Sequence, residues 1–172
     1  MTNPLFYAKI LLFGEYGIIE DSQGLTLPYS FYKGTLKFSE NQSDFEKKSN
    51  ESLSKYAQYL SELNLPEAFK INVEAFKKDI EKGLFFDSNI PQGYGVGSSG
   101  ALVAAIFEKY SFIKYNPEEI SKNQLKDLKK VFGELESYFH GKSFGIDPLI
   151  CYMNHPLLIE NKESVDKVSI PK

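Results

Sequence analysis

The stretch PQGYGVGSSGALVAAI, residues 91–106, sets four glycines and two serines within positions 93–100 and then turns abruptly apolar. Gly93, Gly95, Gly97 and Gly100 bring no side chains to a core, so packing does not account for them. The following ALVAAIFEKYSFI, residues 101–113, is apolar almost all round and predicts a buried helix. A glycine loop that opens a helix has a physical use. Missing side chains let backbone N–H groups approach an anion, and the helix N-terminus adds about half a unit of positive charge. Ser98 and Ser99 add hydroxyls able to meet a phosphate oxygen or a hard cation. The plain alternative is a tight loop whose glycines only allow close approach, but this many glycines and serines exceed what a turn requires.

Two other phosphate-binding patterns compete for the same letters. GVGSSG, residues 95–100, matches G-x-G-x-x-G. That dinucleotide signature needs a strand running straight into the first glycine. Here Asp87-Ser88-Asn89-Ile90-Pro91-Gln92 intervenes, and Pro91 donates no ladder hydrogen bond. The Walker pattern fails outright, because Ala101 and Leu102 follow Gly100 where a lysine is required.

Around the loop, LFYAKILLFGE (5–15) reads as a buried strand. Residues 16–30 read as two short strands about an Asp21–Gly24 turn, and 31–39 as a further strand with a bulge at Gly34. Residues 40–50 read as an exposed loop, and 51–63 as a helix stopped by Pro66. AFKINVEAF (68–76) alternates at period two and predicts a half-buried strand. Residues 83–91 are strand-like. Asn116 and Pro117 open a second helix that Gly141 ends, and 148–160 returns to strand character. The sum is a two-layer α+β class.

The chain of 172 residues is the size of one domain. A net charge of −3 argues against a nucleic-acid partner, whose footprint is usually basic. No run approaches the ~20 apolar residues of a bilayer span, and the N-terminus lacks signal-peptide features. One cysteine, Cys151, permits no internal disulfide, which fits a reducing cytoplasm. With only two histidines besides, a structural zinc site is not expected. Two copies pairing as a homodimer is compatible with this reading.

GELESYFHGKSFGIDPL, residues 133–149, concentrates ionisable groups. Glu136 and His140 lie four apart, on one helical face, and Asp147 follows a glycine turn. The three side chains either converge on one pocket or decorate a solvated helix end, where the helix dipole favours a histidine. Lys9, inside the apolar run Ala8–Phe13, is equally unusual; the plain reading is a lysine snorkelling from a strand edge.

Together these segments resemble the GHMP kinases, the group of galactokinase, homoserine kinase, mevalonate kinase and phosphomevalonate kinase. PQGYGVGSSGAL is similar to the family loop P-x-x-x-G-[LV]-G-S-S-[AG]. KILLFGEY, residues 9–16, is similar to the opening motif K-[VI]-[IL]-L-x-G-E-[HY]. Glu136, His140, Gly141, Gly145, Ile146 and Asp147 fit E-x-x-x-H-G-x-x-x-G-[IV]-D, the arrangement of the mevalonate kinases. The resemblance implies a ribosomal-protein-S5-domain-2-like N-terminal domain over residues 1–172, with the family's C-terminal domain absent from this chain. It implies ATP and Mg²⁺ as cofactors and a small-molecule alcohol, above all mevalonate, as acceptor. ATP would be held by Gly93, Gly95, Val96, Gly97, Ser98, Ser99 and Gly100, and the metal by Ser99 and Glu136. Asp147 would be the catalytic base beside Lys9, and Glu15, Tyr16 and His140 would meet the substrate.

The match has departures. Tyr16 stands where many mevalonate kinases have histidine. Phe144 replaces the serine of P-S-G-[IV]-D, with Ser143 one residue early, and Gly100-Ala101 replaces an alanine pair. Other GHMP substrates, a nicotinamide or flavin enzyme built on GVGSSG, and a non-catalytic nucleotide-binding remnant are the competing readings.

Overall fold

A computed structural model describes residues 3–14 and 23–170. In chain order its elements are β1 (Phe6–Phe13), β2 (Gly24–Phe38), α1 (Asp44–Glu62), a 3₁₀ turn (Glu67–Phe69), α2 (Val73–Glu81), β3 (Leu84–Ser88), α3 (Ser98–Tyr110), α4 (Lys122–His140), α5 (Ile146–Met153), β4 (Leu157–Ile159) and β5 (Val165–Lys167). All five strands form one antiparallel sheet around β2. β1 runs along one edge of β2, while β3 and β4 share the other, and β5 closes the sheet on β4. Helices α3 and α5 lie on β1 and β2, α1 and α2 on β3, and α4 packs across α3, α5 and α1. Phe76, Phe107, Phe132, Leu128 and Leu149 are fully buried where these elements meet. The α+β expectation holds.

Several local expectations change, each for a readable reason. β2 is one 15-residue strand through the described part of 16–39, not two. Its bulge is not at Gly34. It spans Ser30–Tyr32, because Tyr7 pairs with Lys33 while Ala8 pairs with Tyr29. Gly34 is regular, and its missing side chain leaves room for the Phe86 ring.

Residues 44–50 are helix rather than loop. Ser43 and Glu46 form a reciprocal capping box that starts α1 seven residues before the apolar spacing shows itself. The period-two stretch 68–76 is not a strand. Asn72 Oδ1 accepts from the Ala75 amide at 3.0 Å and opens α2, whose buried face is Phe76 and Ile80, four apart. Only Ile71 keeps a single bridge, to Ser111.

The cap at Asn116 supports just one turn; a second box, Ser121 with Gln124, starts α4 at Lys122. Residues 148–153 are the body of α5, not a strand. Every residue from Pro148 to Met153 is buried, and an apolar run this short does not show its period in sequence. Asn154, at φ 47°, ends α5 and frees the chain to enter β4. Among the described residues no helix is long and apolar enough to cross a membrane.

Candidate active site

A cavity of about 800 Å³ opens between the 89–97 loop, the N-terminus of α3, the C-terminus of α4, the start of α5 and one flank of α1. The loop reaches it from β3, which ends at Ser88, so nine non-strand residues separate the sheet from α3. The strand that a dinucleotide fold would run into Gly95 does not exist. No strand pair is parallel among the described residues, so that reading of GVGSSG is overturned.

The four glycines divide into two kinds. Gly93 and Gly95 have φ of 80° and 68°, and a Cβ at either would meet nothing within 4 Å. They provide backbone shape beside open space. Gly97 and Gly100 serve packing, contrary to the expectation from sequence. A Cβ on Gly97 would stand 2.9 Å from Lys9 Cγ, and one on Gly100 would stand 2.6 Å from the Asp147 carbonyl carbon. Their bareness lets the loop lie on β1 and lets α3 cross α5 backbone to backbone. The Lys9 amide donates to the Val96 carbonyl at 2.9 Å and fixes the loop's height over the strand.

Gly97 begins α3 in the left-handed region with no capping side chain, and Gly145 begins α5 in the same way. The first N–H groups of a helix have no intrahelical partner. Those of α3 therefore face the cavity beside the positive end of the helix dipole.

Side chains from β1, α3, α4 and α5 meet at and behind this wall. Lys9 Nζ pairs with Asp147 Oδ1 at 3.0 Å, with Lys9 only 9% exposed. That ion pair gives the buried lysine its partner, so the snorkelling reading does not apply. Ser99 Oγ donates to Glu136 Oε1 at 2.9 Å and lies 2.9 Å from His140 Nε2. Ser143 Oγ donates to Glu136 Oε2 at 2.5 Å. The three ionisable groups of 133–149 thus converge rather than decorate a helix end.

Two glycines make that convergence geometrically accessible. A Cβ on Gly133 would press on the Ser143 carbonyl at 2.9 Å, and one on Gly145 would collide with the Lys129 carbonyl. Without side chains there, the 141–145 turn folds down on α4 and delivers Asp147 beside Glu136.

Glu136 is 3% exposed. Burial pushes its carboxyl above the ordinary range, and the negative charge of Asp147 adds to this; the Ser143 and Ser99 hydroxyls and His140 oppose it. The Ser99–Glu136 pair offers two hard oxygens side by side. No group of three or more His, Cys, Asp or Glu residues able to hold a metal occurs among the described residues. A serine with one carboxylate suits a cation that keeps water and phosphate oxygens as its other ligands, which is how Mg²⁺ usually sits.

Of the residues singled out in sequence, Gly93, Gly95, Val96, Gly97, Ser98, Ser99, His140 and Asp147 line this cavity, and Lys9 and Glu136 stand behind it, bonded to Asp147 and Ser99. Gly100 lies beneath it, against α5. Glu15 and Tyr16 lie outside the described residues. Sequence reasoning missed the α1 flank, where Phe45, Lys48 and Ser52 face the loop across the cavity. The one available signal was the Ser43–Glu46 capping box, which brings Phe45 and Lys48 into the helix that already held Ser52.

A family model described as GHMP kinases N terminal domain matches residues 52–155, more than half of the chain. No curated protein sequence matches significantly. Among solved structures, L. major mevalonate kinase in complex with R-mevalonate superposes with a TM-score of 0.57 at 14% identity, covering 100% of this chain and 53% of that one. Methanococcus jannaschii mevalonate kinase gives 0.56 at 16% identity, covering 98% and 56%. Mevalonate kinase from Staphylococcus aureus MRSA252 gives 0.51 at 16%, covering 97% and 56%. At these identities the likeness is one of fold, and this chain spans about half the length of the structures it matches. With the family model laid across the loop, α3, α4 and α5, the chain belongs to the GHMP kinases through their N-terminal domain.

Proposed function

We propose that this site transfers the γ-phosphoryl group of ATP to the hydroxyl of a small metabolite, with mevalonate as the acceptor. The observation that carries the reading is the Lys9–Asp147 ion pair, 3.0 Å long, set against an uncapped helix N-terminus and the Ser99–Glu136 oxygen pair. Phosphoryl transfer needs positioning and charge neutralisation more than covalent chemistry from the protein.

The 93–99 backbone and the free N–H groups of α3 hold the ATP phosphates. Ser99 and Glu136 would hold Mg²⁺, which when bound would offset the negative charge of the phosphates. Asp147 takes the proton of the acceptor hydroxyl as its oxygen attacks the γ-phosphorus; the bond from that phosphorus to the β–γ bridging oxygen breaks, and ADP leaves. Lys9, paired with Asp147 at 3.0 Å, orients that carboxylate and stabilises the developing alkoxide. His140, in contact with Ser99, is the residue this reading sets against the acceptor. Mevalonate is favoured among GHMP acceptors by the FHGKSFGID stretch and by the likeness in fold to a structure that holds R-mevalonate.

The test is mevalonate-dependent release of ADP from Mg·ATP, followed beside calorimetric binding of Mg·ATP. Asp147→Asn should abolish release and leave nucleotide binding within a few-fold of wild type. Full turnover in that variant sinks the assignment of the base. Binding without release on any alcohol of the group points instead to a non-catalytic nucleotide-binding domain.

A further inference from the structure

Ser143 stands one residue before the position at which the resembling kinases carry a serine, and the proposed chemistry gives it no task. Its surroundings do. Its hydroxyl donates to Glu136 Oε2 at 2.5 Å and accepts from the Gly145 amide at 3.0 Å. Its own amide donates to Ser137 Oγ at 3.2 Å, and the Ser137 hydroxyl donates back to the Gly133 carbonyl at 2.7 Å. A hydroxyl has one hydrogen. The Gly145 amide takes a lone pair of its oxygen, and the acceptor that its hydrogen meets is Glu136 Oε2.

The two oxygens of Glu136 therefore have unlike neighbours. Oε2 is tied to the 141–145 turn, which is tied in turn to α4. Oε1 faces Ser99, which lines the cavity and shares its oxygen with the more than half-exposed His140. A ligand arriving in the cavity can replace the partners of Ser99 and Oε1 without disturbing Ser143.

We propose that Ser143 is a positioning residue. Its hydroxyl fixes the plane of the Glu136 carboxylate so that Oε1 and Ser99 Oγ face the cavity as a ready pair of cation ligands. This rests on the reading of Ser99 and Glu136 as the Mg²⁺ ligands. Outer groups that orient a ligand in this way typically change metal affinity or activity by about 10–100-fold when removed.

The experiment is calorimetric titration of the protein with ADP, once in excess Mg²⁺ and once in EDTA. Wild type should bind ADP more tightly with Mg²⁺. Ser143→Ala should lose about tenfold or more of that Mg²⁺ enhancement, with ADP affinity in EDTA unchanged. Ser143→Thr, which keeps the hydroxyl, should restore it. In a Glu136→Gln background, Ser143→Ala should have no further effect on the enhancement, because the two residues act as one unit.

A serine that merely held the turn would weaken ADP binding equally with and without Mg²⁺, and its effect would add to that of Glu136→Gln; that result overturns the proposal. Full Mg²⁺ enhancement in Ser143→Ala also overturns it. If Ser143→Ala does not fold, Ser143→Cys keeps the volume, weakens the donor and should show the same selective loss. Absence of Mg²⁺ enhancement in wild type would overturn the ligand assignment itself, and is recognisable because it needs no variant.

Discussion

Helices α1, α2 and α4 begin under a side chain that closes their first turn: Ser43, Asn72 and Ser121. Helices α3 and α5 begin on Gly97 and Gly145, both left-handed and both without a cap. A good N-cap stabilises a helix by about 1 kcal/mol. The two bare helices forgo that, and they are the two whose first turns carry Ser99 and Asp147. The capped helices build the scaffold, and in each the cap side chain takes up one first-turn N–H group. At the start of α3 no cap side chain stands between the first N–H groups and the cavity. Here the departure from good local design falls at the end of the molecule that holds the candidate site.

The sharpest way to break this contrast is to give a bare start a side chain. Gly145→Ala adds a Cβ at φ 74°, directly against the Lys129 carbonyl. Left-handed strain and overpacking together should lower stability by about 3 kcal/mol or more, seen as a fall in the urea midpoint. Gly100→Ala keeps helical backbone but places its Cβ 2.6 Å from the Asp147 carbonyl carbon. A loss of about 1–3 kcal/mol is expected, with weaker Mg·ATP binding as α3 is pushed off α5.

On the scaffold side, Ser121→Ala removes the α4 cap and should cost about 1 kcal/mol. Nucleotide affinity should stay at the wild-type level; a parallel loss of binding would mean that the two sets of helices are not separable.

The smallest effect should be a gain. The Glu136 carboxyl is raised in the folded state, chiefly by burial. The folded protein thus holds this proton more tightly than the unfolded chain does. Its favourable contribution is complete below the unfolded carboxylate pKa and is lost as pH climbs through the raised folded value. At neutral pH the ionised side chain opposes folding. Glu136→Gln should therefore melt slightly higher than wild type at pH 7, the gap narrowing as pH falls toward the unfolded value. A variant that melts lower at pH 7 would show that the Ser99 and Ser143 hydrogen bonds outweigh burial.

Much of the site was legible in sequence because its chemistry sits in three short motifs, around Lys9, Ser99 and Asp147. What sequence did not carry is pairing over distance. The bond from Ser143 to Glu136 depends on the turn folding back on α4, which Gly133 and Gly145 allow only in three dimensions. Lys48 and Ser52 reach the cavity because α1 packs beside β3, a contact with no local signature. The fold class was readable from composition and alternation, while element identity failed where runs were short. Residues 68–76 alternate by accident of composition, and the Asn72 cap decides them. Residues 148–153 are buried on every side, so neither period is visible. Gly97 and Gly100 were misjudged because a missing side chain looks the same in sequence whether it clears space for a ligand or for another backbone.

The hydrogen bond from the Lys9 amide to the Val96 carbonyl joins main chain to main chain. Of the twenty residues only proline at position 9 deletes it outright. The side chains at 9 and 96 can change their chemistry while the loop stays at its height over the sheet. A kinase-like fold that tolerates 14–16% identity to its structural neighbours has, in this bond, one piece of its geometry written in atoms that mutation seldom reaches.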